Sequence, residues 1–257
     1  MVSNLTITVL AVAALLGLLL PLSLMAYFKK KYNASYKAFL LGAITFIVFV
    51  IILEQNAHKL ILTSSLGEII AGNSFLYAFY GGLMAGLFEE LGRYLIMRFF
   101  MAKELDNEAN ALMFGVGHRG VEVIFILVLS FINYIIYAVM INNGSINELM
   151  AALSSDAQAQ LQIITYNLLY SSPFSYLLGL FERISAIIAH IAMSYMVFKA
   201  VKDHKPAYLG LAILAHALLD GLSVIISAYL ADFWLVELLI FIMVLMIVFV
   251  SKKLANK

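Results

Sequence analysis

The chain has 257 residues, of which 64% are hydrophobic and only 12% charged, and its formal net charge is +1. Ordinary soluble domains carry about 45–50% apolar and about 25% charged residues, so this composition is that of a membrane protein. A charge so close to zero argues against a nucleic-acid partner, and the absence of cysteine excludes disulfides, a thiol nucleophile and thiolate metal ligands.

Seven apolar runs are long enough to cross a lipid bilayer, which requires about 20 largely apolar residues. They fall near residues 4–28, 36–56, 74–100, 107–140, 174–199, 206–230 and 232–251. The expected fold is an all-α integral membrane protein of about seven transmembrane helices, with one polytopic domain over 1–257. Because the fourth run is too long for one straight span, we expect a kink near Gly115, Gly117 or Gly120, or a part outside the bilayer.

The distribution of basic residues predicts the orientation, because Lys and Arg concentrate in cytoplasmic connections. Alternate connections hold Lys29, Lys30, Lys31 and Lys37; Arg98 and Lys103; Lys199, Lys202 and Lys205; and Lys252, Lys253 and Lys257. The N-terminus is therefore predicted to lie outside and the C-terminus in the cytoplasm of a multi-pass protein of the cell membrane. No basic residue precedes the first apolar run, which favours a retained span over a cleavable signal peptide.

Residues 142–172 form the one sizeable predicted segment outside the membrane. The stretch SINELMAALSSDAQAQLQIITYNLLY has apolar residues at helical spacing, which predicts a helix lying on the outer surface. Such a helix either gates a site or simply joins two spans, and the second role is the more common one.

Eleven ionisable side chains interrupt the apolar runs or lie at their edges. They are Glu89, Glu90, Arg93, His118, Arg119, Glu122, Glu182, Arg183, His190, His216 and Asp220. A charged side chain at mid-bilayer costs roughly 2.5–3.5 kcal/mol, so the set facing lipid would cost on the order of 20–30 kcal/mol, more than the net stability of a domain. We therefore expect these groups to face one another in a polar cavity formed by spans three to six, within a catalytic core over 74–230.

Four of the helices place polar groups at a similar depth. At about 1.5 Å per residue, Glu89, His118, His190 and His216 lie roughly 12 to 16 Å from the cytoplasmic ends of their helices. Groups at one depth on four helices are expected to meet.

The spacing within the helices pairs these groups further. Three pairs are four residues apart and share a helix face: Glu89 with Arg93, His118 with Glu122, and His216 with Asp220. Adjacent Glu89 and Glu90 point about 100° apart, so one should line the cavity while Arg93 holds the other. Three preceding glycines would let a neighbouring helix approach closely: Gly81, Gly82 and Gly86.

The set suits hydrolysis by an activated water. A glutamate can serve as the general base, and facing imidazoles can orient water or donate to an oxyanion. Without cysteine or a convincing Ser-His-Asp arrangement, acyl-enzyme chemistry is disfavoured. A zinc site is also open, with His190, His216 and Glu90 as its candidate ligands, although no His-Glu-x-x-His motif is present.

Each pair taken alone is more simply a structural ion pair, but the whole set exceeds what packing of seven helices needs. Two functions other than hydrolysis stay open. One is a proton-coupled membrane transporter, in which the same groups relay protons; the lack of a clear two-fold repeat counts against it. The other is a non-catalytic protein that retains the site and binds a membrane partner.

Several stretches resemble known membrane proteases. Glu89-Glu90-x-x-Arg93 and His216-x-x-x-Asp220 resemble motifs of the CAAX protease and bacteriocin-processing superfamily and of the related PrsW-type site-1 proteases. The stretches FGVGHRGVEVIF and FERISAIIAHIAMSYMV more closely resemble the YhfC family of intramembrane peptidases. The resemblance implies a glutamate-type or metal-dependent endopeptidase that cleaves a membrane-embedded or membrane-proximal peptide.

The resemblance also implies roles for single residues. Glu89 or Glu90 would activate the water, and the His216 motif would orient it and stabilise the oxyanion. The second motif ends either at His118, as in CAAX proteases, or at Glu122, as in PrsW proteases, and we favour Glu122. The expected catalytic residues are Glu89, Glu90, Glu122, His190 and His216. The expected supporting residues are Arg93, His118, Arg183, Asp220 and Glu182.

Overall fold

The structure is a computed structural model that describes residues 1–255. Lys257, one of the basic residues from which the orientation is predicted, lies outside the described residues. The described chain is helical and contains no strand, which confirms the all-α class. Its α-helices are α1 Asn4–Tyr32, α2 Tyr36–Thr45, α3 Gln55–Leu62, α4 Ser65–Ala71, α5 Ser74–Phe100, α6 Ala109–Val123, α7 Leu129–Asn143, α8 Ile146–Ala151, α9 Ser155–Tyr170, α10 Tyr176–Lys202, α11 Pro206–Tyr229 and α12 Phe233–Ala255. Shorter helical segments are the π-helices Phe46–Glu54 and Ile124–Val128 and the 3₁₀ turn Pro173–Ser175.

Six helices in the described chain are long and apolar enough to cross a membrane. They are Asn4–Tyr32, Tyr36–Leu62, Ala109–Asn143, Pro173–Lys202, Pro206–Tyr229 and Phe233–Ala255. The remaining predicted span, 74–100, corresponds to α5, whose 27 residues match the others in length but carry four charged side chains. The multi-pass membrane class is confirmed, whereas the crossing of α5 and the orientation stay predictions.

Local signals explain several helix ends. The side chain of Asn73 caps α5 by accepting from the backbone N–H groups of Phe75 at 2.9 Å and Leu76 at 3.1 Å. Pro206 opens α11, where a missing N–H costs nothing. Gly144 ends α7 with a φ of 86°, a left-handed conformation that favours glycine.

Internal contacts divide the predicted single domain into two compact units. The first unit contains Met1–Leu20 and Glu122–Arg183, and the second contains Pro21–Val121 and Ile184 to the end of the described residues. In the second unit, the C-terminal half of α10 belongs to the hydrophobic core, since nearly every residue from Ala189 to Val201 is buried.

In the second unit, α5 packs closely against α11. A Cβ at Gly82 would collide with the carbonyl oxygen of Ala217, and one at Gly86 would lie 2.7 Å from the carbonyl oxygen of Ile213. The predicted close approach is therefore correct for these two glycines. It is wrong for Gly81, where a Cβ would meet no heavy atom of a neighbouring helix within 4 Å in the described part of the chain.

The kink predicted at the glycines of α6 is also wrong. The α-helix continues through them, because they serve close contacts instead. A Cβ at Gly115 would lie 2.7 Å from Cα of Ile191 in α10, and one at Gly117 would collide with the backbone of Phe39 in α2. The irregularity of this long helical run follows α6, in its π-helical segment.

In the first unit, the segment predicted as one surface helix over 142–172 contains α8 and α9 with a break between them. The N-terminal residues are tied to its start. Nδ2 of Asn142 donates to the carbonyl oxygen of Val2 at 3.0 Å, and its Oδ1 accepts from the backbone N–H of Val2 at 2.7 Å. The position of this segment on the outer surface stays a prediction.

Candidate functional site

One buried turn of α5 holds two carboxylates and a guanidinium. Glu89 is 5% exposed, and Glu90 and Arg93 are fully buried. Nη1 of Arg93 donates to Oε1 of Glu90 at 2.5 Å, and Nη2 donates to Oε2 of Glu89 at 3.0 Å. The expectation that Arg93 holds only one carboxylate is therefore wrong, because the guanidinium fork reaches both residues three and four positions earlier.

Two histidines from α6 and α10 meet this turn. Nε2 of His118 lies 2.8 Å from Oε2 of Glu89, and the ring of Phe46 packs edge-on against the His118 ring at 5.5 Å. Nδ1 of His190 lies 2.6 Å from Nη2 of Arg93 and 3.6 Å from Oε2 of Glu89. The two imidazoles stack with their centres 5.7 Å apart, a contact that the close approach of α6 and α10 permits.

A third histidine, from α11, contacts the second carboxylate. Nδ1 of His216 lies 2.7 Å from Oε1 of Glu90, and its Nε2 lies 3.5 Å from Oδ2 of Asp220 and 3.7 Å from Oε1 of Glu89. Its ring packs edge-on against that of His190 at 5.0 Å. Side chains of α5, α6, α10 and α11 thus contact one another, as their similar predicted depths indicated.

The site is closed, and it contains buried polar atoms that make no hydrogen bond within the described chain. Four such atoms belong to the site: Oε2 of Glu90, Nε of Arg93, Nδ1 of His118 and Nε2 of His216. Protein interiors pair nearly all such groups, and an unpaired one costs about 1–3 kcal/mol. These atoms therefore leave positions at which a small polar species could form hydrogen bonds. Only Asp220 in this group reaches the surface, with 44% of its side chain exposed.

Three of the residues form a donor set that fits a metal ion. Donor atoms of Glu89, His118 and His190 lie within 4.8 Å of one another, and all three side chains are buried. Two imidazoles and a carboxylate are a common protein ligand set of catalytic zinc. Two of these three groups, Glu89 and His190, already contact a positive charge, Nη2 of Arg93. The type of donor atoms and their spacing thus fit a divalent cation.

This donor set differs from the zinc ligands predicted from the sequence. Of Glu90, His190 and His216, only His190 belongs to both sets. Oε1 of Glu90 instead contacts Arg93 and His216. His118, expected to play a supporting role, joins the donor set; its depth was the signal that pointed to it.

Three further predicted residues lie together in the first unit. Arg183 donates through Nη1 to Oε1 of Glu122 at 3.1 Å, and its Nη2 pairs with Oε1 of Glu182. Glu122 and Arg183 are buried, whereas 39% of the Glu182 side chain is exposed. The contacts seen here are those of an ion pair, and the catalytic role of Glu122 stays a prediction.

The chain is similar to known proteins over the region that contains the site of the second unit. The sequence matches that of the YhfC intramembrane metalloprotease family over residues 16–240. A relative from Bacillus subtilis (strain 168), described as an uncharacterized membrane protein YhfC, is 42% identical over 221 residues. That similarity covers 86% of this chain and 84% of the relative. No solved structure matches the chain.

Proposed function

This chain belongs to the YhfC intramembrane metalloprotease family, and from that membership we propose that it hydrolyses a peptide bond of a membrane-embedded or membrane-proximal polypeptide. One observation carries the proposal. A buried donor set of one carboxylate and two imidazoles lies directly beside a second buried carboxylate, Glu90, which can serve as a base. Metal-assisted hydrolysis needs these two elements side by side.

In this proposal Glu89, His118 and His190 hold the metal. When bound, a divalent cation would polarise the scissile carbonyl and acidify a water molecule. Imidazole binds metal through a nitrogen lone pair, so Nε2 of His118, which faces the Glu89 carboxylate at 2.8 Å, must lose its proton on ligation. Because acid protonates the imidazole lone pair that binds the metal, the metal affinity should fall at acidic pH.

Glu90 is the residue that we assign as general base. Arg93 and His216 hold its Oε1, which leaves Oε2 to accept a proton from the attacking water. The water oxygen then bonds to the carbonyl carbon, and the C–N bond breaks. The leaving nitrogen takes the proton back from Glu90.

His216 and Asp220 extend this proton path to the surface. Nδ1 of His216 contacts Glu90, and its Nε2 faces Asp220, whose side chain is 44% exposed. A proton on Glu90 can therefore reach an exposed carboxylate through one imidazole. The other groups of the site are at most 6% exposed, so peptide cleavage also requires an opening movement of the helices.

The same path supports a second candidate function, a proton-coupled transporter. Carboxylates and histidines buried in a membrane commonly form proton relays. The two functions differ in their products, since a peptidase leaves new peptide termini and a transporter leaves a pH gradient.

The test uses the full chain in vesicles together with a membrane-protein fraction. Chemical labelling of new N-termini, read by mass spectrometry, is compared between the natural protein and the Glu90→Gln variant, with zinc present. We expect new termini in or near membrane spans with the natural protein alone. Acidification of the vesicles without new termini would instead support the transporter and exclude the peptidase.

A further inference from the structure

The guanidinium of Arg93 stands against two of the three groups proposed to hold the metal. Its Nη2 lies 2.6 Å from Nδ1 of His190 and 3.0 Å from Oε2 of Glu89. Arg93 is fully buried, so water does not compete for these contacts. A positive charge thus already occupies the place between a prospective imidazole ligand and a prospective carboxylate ligand.

The contact with His190 excludes metal binding at the same atom. A guanidinium carries only N–H donors and no acceptor, so Nδ1 of His190 must accept this hydrogen bond with its lone pair. An imidazole nitrogen has one such lone pair in the ring plane, and a metal ion uses that same lone pair. Nδ1 is the His190 nitrogen that lies 3.6 Å from Oε2 of Glu89, so it is the atom assigned here to the metal. His190 therefore contacts either Arg93 or a metal through Nδ1, and not both.

We propose that Arg93 is an internal competitor of the metal: it occupies the cation position in the metal-free protein and leaves His190 when the ion binds. This inference rests on the metal site of the proposed function. Glu90 makes the exchange feasible, because Nη1 of Arg93 donates to its Oε1 at 2.5 Å and keeps a charged partner when Nη2 withdraws.

The competition gives Arg93 two effects of opposite sign. In the metal-free protein it pairs with Glu89 and Glu90, two buried carboxylates whose other close partners are histidines. In the metal-bound protein it is a displaced cation near a second cation, which disfavours binding. A purely structural arginine would give only the first effect, and an arginine that positions the ligands would strengthen metal binding.

The experiment measures zinc affinity and thermal unfolding of the full chain in detergent after removal of metal with a chelator. Zn²⁺ alone is titrated by calorimetry into the natural protein and into Arg93→Met and Arg93→Lys. We expect Arg93→Met to bind zinc roughly tenfold more tightly, a typical size for coupling between two binding events. Without metal, the same variant should unfold at a lower temperature than the natural protein.

Arg93→Lys preserves the test if the methionine variant fails to fold. An ammonium is a single point of charge without a planar fork, so it cannot hold Glu90 and His190 together as the guanidinium does. Its zinc affinity should therefore also exceed that of the natural protein. Arg98→Met is the matched control, because Arg98 lies on the same helix, is exposed and contacts His204; its zinc affinity should not change.

The outcomes separate this inference from the proposed function. Unchanged or weaker zinc binding in both Arg93 variants would overturn the competition and leave the metal site in place. If the natural protein and both variants all fail to bind zinc, the metal site itself is wrong, and the competition falls with it. Tighter binding in Arg98→Met as well would show a general charge effect and would also overturn the proposal.

Discussion

Oε1 of Glu90 lies 2.7 Å from Nδ1 of His216, and this contact joins α5 to α11 in the interior of the site. The neighbouring Glu89 instead faces the imidazole of His118 at 2.8 Å. Arg93 bridges the two carboxylates. Two adjacent glutamates therefore have different partners, which is the physical basis for giving them different proposed roles.

The first prediction separates those roles by substituting each glutamate with its isosteric amide. Glu90→Gln should retain zinc but lose cleavage by roughly 10²–10⁴-fold, the usual contribution of a general base. Glu89→Gln should lose both, because an uncharged amide is a poor metal ligand. Zinc per protein, measured by mass spectrometry, and cleavage of a membrane-protein reporter would be determined on the same samples.

Two results would contradict this division of roles. Full cleavage by Glu90→Gln would exclude Glu90 as the base. Equal loss of zinc in both variants would mean that the two carboxylates share the metal, against the separate contacts seen at His216 and His118.

The second prediction distinguishes the donor set of the structure from the one predicted by the sequence. Zinc should raise the unfolding temperature of the natural protein by mass action, since a ligand at 100 times its Kd adds about 2.7 kcal/mol of stability. His118→Ala should abolish this rise and His216→Ala should keep it. Both side chains are almost fully buried, so truncation of either should cost a similar amount of stability. Each variant therefore serves as the control for the other.

The opposite pattern, with zinc stabilisation lost in His216→Ala and kept in His118→Ala, would favour the set Glu90, His190 and His216 instead. Thermal unfolding monitored with and without a chelator reads out both variants directly. Removal of the metal should also stop cleavage by the natural protein, and added zinc should restore it.

The sequence predicted the all-α membrane class and the YhfC resemblance, and both are confirmed. Hydropathy finds membrane helices because the bilayer demands long apolar runs. The contact among Glu89, His118 and His190 followed from depth along each helix, since charged groups in lipid must find one another.

The remaining contacts depend on the direction in which each residue points around its helix axis. Depth along the helix does not give that direction. A glycine such as Gly115 either bends a helix or admits a neighbour, and only the position of α10 decides that it admits one. Likewise, the spacing of Arg93 from Glu89 and Glu90 allows a contact with either glutamate. Rotation of the side chain placed the guanidinium between both.

The third prediction concerns the packing that holds α11 against α5. Gly82→Ala should destabilise the protein by about 1–3 kcal/mol, the usual cost of overpacking, because the new methyl group would collide with the carbonyl oxygen of Ala217. Gly81→Ala is the matched control one residue earlier, where the methyl group meets open space. It should be neutral, or stabilising by roughly 0.5–1 kcal/mol from the loss of glycine flexibility.

Unfolding of both variants in detergent would be followed by helical circular dichroism. Similar stabilities for the Gly81 and Gly82 variants would contradict the backbone contact between the two helices. Since His216 immediately precedes Ala217, whose carbonyl oxygen makes this contact, Gly82→Ala should also weaken cleavage more than Gly81→Ala does.

The last prediction tests the ion pair of the first unit, where Arg183 contacts two glutamates of different burial. Glu122 is nearly buried and Glu182 is 39% exposed. Glu122→Ala should cost about 3 kcal/mol, because it removes one partner of a buried pair. Glu182→Ala should cost about 1 kcal/mol or less, as exposed pairs usually do.

A second substitution identifies the cause of the loss. Adding Arg183→Met to Glu122→Ala should recover part of the stability, since it removes a buried charge that has lost its buried partner and keeps only the more exposed Glu182. Adding the same change to Glu182→Ala should lower stability further, because it leaves the Glu122 carboxylate without this guanidinium. If both double variants changed in the same direction, the buried pair between α10 and residue 122 would not be the source of the stability.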